Sequence, residues 1–577
     1  MDRSTPITLF DFSFRYPSST GPVLKGIHLE IPKGEVVGIM GPAGAGKSTL
    51  VFALGGLIPD FIHGTHSGTI TVGAQNPITA SPRTMADTIG IVFQDFESQL
   101  FSSTVELEIA FAMENRGVDP ESMRRRVREI EAIIGLSGFS KRPPGSLSGG
   151  QKQRLVIGSV LALNPEILCF DEPTTDLDPA GKEEVFSLIR SLCRSQHHAP
   201  GEEAIQNGII IEQETEEMAA LDRLILMDKG TIIADGPPKA VMKDISLFQQ
   251  LGLRPLPVCE YFAALGIESS KQLLSVPDAV SLFHASDLEI DTSRYQEIIK
   301  ADSIRTQRYG PEIISIRGVS FGYEDNLVIR NLNLTIRRQE CLAIAGANGS
   351  GKTTVSRLLA GLIHPDSGSV TVAGMDTQHH SIHDLSRVIG YVFQNPDHQI
   401  FSDTVFEEVA YGVRLHGFSP DQVSLRVAEA LLAVGMEGKE DYDPFSLPRG
   451  DRQRVAVASV LAIQPDIIIL DEPTTGLDYQ DQVRMMELVA DLNQKGHTII
   501  IITHAMWVLA EYMHRVVLLR DGEIIADGTP RTILSNPPLL AENSMKAPQI
   551  TEFSTKIGYP ICTVDEMAAC TRRRDGA

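Results

Sequence analysis

A chain of 577 residues is longer than one hydrophobic core organises, so two or more domains of ~100–250 residues are expected. Hydrophobic residues at 42% and charged residues at 22% exclude a disordered polymer, and a net charge of −23 excludes a protein that grips nucleic acid broadly. The scattered cysteines (Cys169, Cys193, Cys259, Cys341, Cys562, Cys570) form no C-x-x-C pair and read as buried free thiols, which implies a reducing compartment.

In chain order, Met1 to Pro6 carries Asp2 and Arg3 and runs straight into a strand-like stretch, without the pattern of a signal peptide. Val36 to Met40 is a short apolar strand ending in Gly41-Pro42-Ala43-Gly44-Ala45-Gly46-Lys47-Ser48-Thr49, and Leu50 to Leu57 then favours helix. Ile89 to Gln94 follows, and a helical patch begins. Asp119-Pro120 reads as an N-cap with a first-turn proline, Gly135 as the stop, and Arg124-Arg125-Arg126 as a solvated face. Leu147-Ser148-Gly149-Gly150-Gln151 precedes the apolar strand Ile167–Phe170, which delivers Asp171-Glu172, and Ile209 to Ile211 is a further apolar strand.

About 300 residues later the same series returns in the same order. Cys341 to Ala345 leads into Gly346-Ala347-Asn348-Gly349-Ser350-Gly351-Lys352-Thr353-Thr354, with Val355 to Leu362 favouring helix. Ile389 to Gln394, Ser419-Pro420, Gly435, and Ile467–Leu470 with Asp471-Glu472 complete the copy. Pro257, Phe262 and Gly266 are echoed by Pro548, Phe553 and Gly558, so each half is expected to own a small C-terminal appendage. The expected division is 5–242, an appendage and linker over 243–310, a second unit over 311–545 and an extension over 546–577. The extension ends in Arg572-Arg573-Arg574 and is expected to lack fixed structure in part. No apolar stretch reaches the ~18 residues a membrane span needs; Thr498 to Ile502 is short and runs into Thr503-His504. Service to a membrane would come from one side.

Each G-x-x-x-x-G-K-[ST] sits between a strand and a helix, the setting in which backbone N–H groups curl around phosphates at a helix start. Gly41, Gly44, Gly46, Gly346, Gly349 and Gly351 shape the loops. Lys47 and Lys352 reach the β- and γ-phosphates, Ser48 and Thr353 can ligate Mg²⁺, and Thr49 and Thr354 follow in the cradle. Asp171 and Asp471, at strand ends, suit Mg²⁺ coordination through water. Glu172 and Glu472 are placed to polarise a water for in-line attack on the γ-phosphate.

With Leu147-Ser148-Gly149-Gly150-Gln151 the sequence resembles the ATP-binding cassette (ABC) ATPases over nearly its whole length. The resemblance implies an α/β fold of two P-loop NTPase domains, each a mixed sheet core with an inserted helical subdomain. It implies ATP hydrolysis with Mg²⁺, and sites in which the Ser148–Gln151 signature of one cassette faces the ATP held by the other, through intrachain pairing. A serine hydroxyl and glycine N–H groups at a helix start can bind a γ-phosphate. By the same resemblance Gln94 and Gln394 sense Mg²⁺ and contact a transporter, while Tyr16 and Tyr323 are candidates to stack on adenine. Phe393-Gln394-Asn395-Pro396-Asp397-His398-Gln399-Ile400-Phe401-Ser402, then Thr404-Val405, is similar to the energy-coupling factor (ECF) importers of vitamins and metal ions. Gln94 to Ser102 is a looser version. That family implies a peripheral protein on the cytoplasmic face of the cell membrane, partnered by a membrane coupling subunit and a substrate-binding membrane subunit.

The halves disagree at two places. Leu447-Pro448-Arg449-Gly450-Asp451 stands where the signature should recur: proline removes a hydroxyl and an N–H, and Asp451 is expected to add negative charge near a phosphate site. Arg449 could compensate through guanidinium–phosphate pairing. His504 follows the strand Ile499–Ile502 and is placed to contact the γ-phosphate, whereas the first copy has no histidine there. Counting from Arg223 and Arg515 aligns Glu212 with His504, and motif shape favours Gln213. With head-to-tail pairing, both losses fall on the site of the first loop, and the site of the second loop keeps Glu472, His504 and the intact signature.

The rival from another class is a tandem-cassette ATPase that acts on ribosomes or another non-transport partner. Such proteins carry a charged helical arm and a basic surface; this linker holds Leu273-Leu274, Pro277 and Leu282-Phe283, and the chain is acidic. Zinc cysteines and long heptads, the marks of DNA-repair or chromosome-structure ATPases, are missing from the sequence.

Overall fold

The computed structural model describes residues 6–574 except 60, 176, 195–204, 206, 268–272 and 325. The N-terminal segment read for a signal peptide therefore lies, up to residue 5, outside the described residues, as do residues 575–577 of the extension. Two compact units emerge, one up to Ala263 and the other from Ser275 on, with the short stretch between shared out.

In the first unit five parallel strands run in the order Ile89–Val92, Ile167–Asp171, Asn207–Ile211, Val36–Met40, Arg223–Asp228, and Thr231–Gly236 closes the edge antiparallel. The central strands are buried on both faces, which is why they read as continuous apolar runs rather than alternating ones. Alternate residues serve different cores. Val37, Ile39, Cys169 and Ile209 face the antiparallel sheet of Ile7–Arg15, Leu24–Ile31 and Thr65–Val72. Val36, Met40, Phe170 and Ile210 join the cluster that includes the helices Val105–Asn115, Pro120–Ile133 and Gly149–Leu161. The second unit repeats this with Ile389–Val392, Ile467–Asp471, Thr498–Ile502, Cys341–Ala345, Arg515–Arg520 and Glu523–Gly528. Its inserted helices are Val405–Leu415, Pro420–Ala433 and Arg449–Leu461. Mixed sheet and helical insert are thus present twice.

Local signals account for the helix ends. Asp119 caps its helix by accepting from the N–H groups of Glu121 and Ser122, and Ser419 forms a capping box with Gln422. Gly135 and Gly435, both at φ 67°, turn the chain just past the helix ends. The helices after the glycine loops begin at Lys47 and Lys352, three residues before the sequence-based expectation. Gly46 and Gly351 adopt left-handed backbone at φ 99° and 102°, so the turn into helix is made inside the loop itself. Arg124 and Arg125 are exposed, as expected of a solvated face, whereas Arg126 is half-buried and donates to the Leu161 carbonyl at 3.3 Å beside Glu129.

The extension departs from expectation. It folds as helices Gln549–Lys556 and Val564–Cys570 and a strand Thr571–Arg573, which pairs antiparallel with Leu288–Ile290. Phe283 packs edge-on against Phe553 at 5.9 Å, and Tyr295 against Tyr559 at 5.3 Å. Buried Arg531 ties the module to the second cassette, bonding Asp302 at 3.1 Å, Glu566 at 3.0 Å and the Pro560 carbonyl at 2.9 Å. The arginine run is ordered because its partner strand lies about 280 residues earlier in the chain. The six cysteines are free, four of them buried.

Candidate functional site

Each unit carries its own phosphate loop with the acids of the adjoining strand beside it. Lys47 is buried and its Nζ donates to the carbonyls of Gly41 at 2.7 Å and Pro42 at 3.0 Å; Lys352 does the same to Gly346 and Ala347, both at 2.9 Å. These lysines hold the loops closed on themselves and offer a charge that phosphate can claim. Glycine is obligatory at Gly41 and Gly346, where an added Cβ would sit 2.2 Å from a backbone oxygen of Met227 or Leu519.

Asp471 is buried at its strand end, and its Oδ2 accepts the Tyr391 hydroxyl at 2.8 Å. Its Oδ1 is buried with no hydrogen-bond partner, and the Thr353 hydroxyl stands near the carboxylate. Burial pushes the Asp471 pKa up against the pull of those hydroxyls. Among the described residues no cluster of three or more His, Cys, Asp or Glu could cage a metal. One carboxylate with an orphaned oxygen beside a Thr hydroxyl fits Mg²⁺, which takes one or two protein ligands and completes its shell with phosphate and water. Thr353 and Asp471 would hold it in the second unit, Ser48 and Asp171 in the first. Burial raises Asp171 to about 6, opposed by the Ser48 hydroxyl.

The glutamates that follow differ. Both Glu172 and Glu472 take φ 48°, a left-handed backbone costly for a non-glycine residue, which turns each side chain out of the sheet at the strand end. Glu472 Oε1 bonds His504 Nδ1 at 2.7 Å, and its Oε2 is buried with no partner. Burial would raise its pKa, yet His504 and Lys352 hold the carboxyl below the usual value, so it is ionised at neutral pH. Glu172 has both oxygens engaged: Oε1 accepts from Gln213 Nε2 at 3.0 Å and Oε2 from Gln94 Nε2 at 2.8 Å. Gln394 is exposed.

Strand register settles which residue replaces the histidine. Asp171 pairs with Ile211 and Asp471 with Ile502, so Gln213 is the counterpart of His504 and Glu212 of Thr503. Glu212, the other candidate for that position, is instead a buried carboxyl. Its Oε2 accepts from Thr174 at 2.6 Å and its Oε1 from the Gln213 N–H at 2.8 Å. Burial, with Glu172 and Glu214 nearby, raises it to about 7 despite Lys182. A carboxyl that binds its proton more tightly when folded stabilises fully below its unfolded pKa of 4.5 and loses that contribution as pH rises through about 7. The first unit's melting midpoint should therefore fall as pH rises from about 4.5 to about 7. Glu212→Gln should flatten that fall in calorimetry, leaving the share that Asp171 contributes between its unfolded value of 3.8 and about 6.

Ser148 caps the helix Gly149–Leu161 in a capping box with Gln151, so the hydrogen bonds of this signature are with itself and Gly149 and Gly150 lie at the bare helix start. Pro448 caps its counterpart with no side-chain bond. Asp451 keeps the expected charge, but Lys439 and Arg454 pair with it and, against burial, lower its pKa, so the charge is offset locally. Arg449 lies against Gly476. Tyr16 donates to or accepts from Thr49 Oγ1 at 3.0 Å, next to the phosphate-loop helix, while Tyr323 is 44% exposed against Phe321. Loop, strand acids and the His504 or Gln213 position are thus brought together within each unit.

A family model described as "ABC transporter" matches residues 24–175 and 329–475. Chains that carry the name "Putative ABC transporter ATP-binding protein" align end to end. One from Caldanaerobacter subterraneus subsp. tengcongensis is 48% identical, covering 98% of this chain and 99% of its own. Another from Enterococcus faecalis is 35% identical, covering 98% of each. Among solved structures, cbiO1 from Clostridium perfringens, titled as part of the ABC transporter complex cbiONQ, is 32% identical over 40% of this chain and 94% of its own, at TM-score 0.37, too low to bear on function. Two nucleotide-binding cassettes in one polypeptide, each with the loop and acids of a P-loop NTPase, place this chain in the ABC transporter family as an ATP-hydrolysing, ATP-binding protein of a transporter.

Proposed function

We propose that this protein is the motor of an ECF-type importer, bound peripherally at the cytoplasmic face of the cell membrane, with one consensus and one degenerate ATP site. The observation that carries the asymmetry is the pair of glutamates: Glu472 keeps a free buried oxygen beside His504, whereas Glu172 is saturated by Gln213 and Gln94. A glutamate with a free, ionised oxygen can orient and polarise a water; one already accepting from two amides is a weaker acceptor. In this reading the cassettes pair head to tail. The second loop's nucleotide then meets Ser148, Gly149, Gly150 and Gln151, and the first loop's meets Pro448 and Arg449. Mg²⁺, when bound, neutralises charge on the phosphate oxygens. Lys352 leaves its loop carbonyls for the phosphates, Thr353 and Asp471 orient the metal, and Glu472, aligned by His504, holds the attacking water. Lys47, Ser48 and Thr49 hold nucleotide in the slower site, with Asp171 on the metal; Gly41, Gly44, Gly46, Gly346, Gly349, Gly351 and Thr354 shape the two cradles, and Tyr16 and Tyr323 back the adenines.

The importer assignment draws on the Phe393–Ser402 motif and on two exposed aromatic pairs at equivalent positions. Phe101 packs on Phe111 at 4.5 Å and Phe401 on Tyr411 at 4.9 Å, with Phe101 62% and Phe401 61% exposed. Exposed aromatics repeated in both inserted helical regions suit a protein partner, and truncating such anchors typically costs 2 kcal/mol or more. No helix among the described residues is long and apolar enough to cross a membrane, so the pore would be a separate subunit. Tagged protein drawn from solubilised membranes should retain a multi-span subunit. The double variant Phe101→Ser, Phe401→Ser should lose at least about tenfold of it while its own ATPase stays within about twofold. Co-sedimentation with ribosomes and no membrane companion would replace this reading with the ribosomal one.

A further inference from the structure

The second site contains a hydrogen-bonded chain that the first lacks. Tyr391, on the strand beside Ile467–Asp471, spends its one hydroxyl proton on Asp471 Oδ2 at 2.8 Å. Ser356, fully buried in the phosphate-loop helix, sits 3.1 Å from the same phenol oxygen and 2.9 Å from the Thr353 carbonyl. The repeat puts Val51 and Ile91 at the matching positions of the first unit, and neither can donate.

We propose that Tyr391, backed by Ser356, is a positioning residue that fixes the Asp471 carboxylate so that its remaining oxygen meets Mg²⁺, and that this chain is part of what distinguishes the hydrolysing site from the holding site. A carboxylate turns freely about its Cβ–Cγ bond unless one oxygen is held. Here Oδ2 is anchored, which leaves Oδ1, buried and otherwise without a partner, as the oxygen the metal's shell can use. Partners that orient a metal-binding side chain are typically worth 10–100-fold in metal affinity. The first site replaces the chain with apolar contacts, as a nucleotide-retaining site can tolerate.

The inference rests on Asp471 being the Mg²⁺ aspartate, so both are tested in one assay. In the full chain carrying Lys47→Ala to silence the first loop, Mn²⁺ binding with a non-hydrolysable ATP analogue is measured by electron paramagnetic resonance. Nucleotide affinity is measured separately in EDTA. Tyr391→Phe should weaken Mn²⁺ about tenfold and Ser356→Ala by a few fold, with nucleotide affinity in EDTA unchanged. In the otherwise unaltered chain, Tyr391→Phe should raise the Mg²⁺ concentration for half-maximal ATPase while kcat at saturating Mg²⁺ stays within about twofold. Unchanged Mn²⁺ affinity in both variants, or an equal loss of metal-free nucleotide binding, would overturn the positioning role. If Asp471→Asn also retains Mn²⁺, the site assignment itself falls; if only Asp471→Asn loses it, the relay alone is wrong.

Discussion

Glu472→Gln is expected to lower steady-state ATP turnover by about 10²–10³-fold, whereas Glu172→Gln should leave it within about twofold. The two substitutions are chemically identical and occupy the same strained backbone position at the end of the same strand, so backbone effects cancel in the comparison. What differs is the neighbourhood. Glu472 is ionised between His504 and Lys352 and offers an unpartnered oxygen; the amide of glutamine offers a weaker acceptor there and loses the attraction to both. Glu172 already gives its oxygens to Gln213 and Gln94, and an amide in its place can keep one of those bonds. Equal losses in the two variants would remove the asymmetric model.

Gly150→Asp should cost about 100-fold in turnover without lowering the melting temperature, whereas Pro448→Ala should change turnover less than twofold. An added Cβ at Gly150 meets nothing nearer than the Gly181 Cα at 3.8 Å, an ordinary contact, so the fold accommodates the side chain. A carboxylate in the first turn of the helix Gly149–Leu161 also complements the helix dipole. The penalty falls on function alone. If this helix start receives the γ-phosphate of the nucleotide on the second loop, a carboxylate there opposes like charge in a site that binds phosphate through uncommitted N–H groups. The second helix start has lost its hydroxyl to Pro448, so trimming that proline removes little. Full turnover in Gly150→Asp would mean the signature serves no hydrolysing site, and the melting curve separates that result from misfolding.

The features legible in the sequence are those whose chemistry demands fixed residue types at short spacing. The glycine loops, Lys47 and Lys352, Asp171-Glu172 and Asp471-Glu472, and the caps at Asp119 and Ser419 each depend on neighbours within a few residues. Their recurrence, together with the signature at Ser148, was enough to give the fold class and the ATPase chemistry. Phase was harder. Between Glu212 and Gln213 the sequence offered two alignments one residue apart, and a slip of one turns a side chain to the opposite face of a strand.

Only pairing across the sheet, Asp171 with Ile211 and Asp471 with Ile502, made that choice. The same is true of the Tyr391 hydroxyl on Asp471, 80 residues away in the chain, and of the ion pairs that neutralise Asp451. It holds above all for the extension, which the sequence leaves partly without fixed structure until Leu288–Ile290 supplies a partner strand. Amino-acid order determined which chemistry this chain can hold, because phosphate and metal ligands are local arrangements. The tertiary structure decided which of the two glutamates is free to use it, because hydrogen-bond saturation depends on residues that only folding brings together.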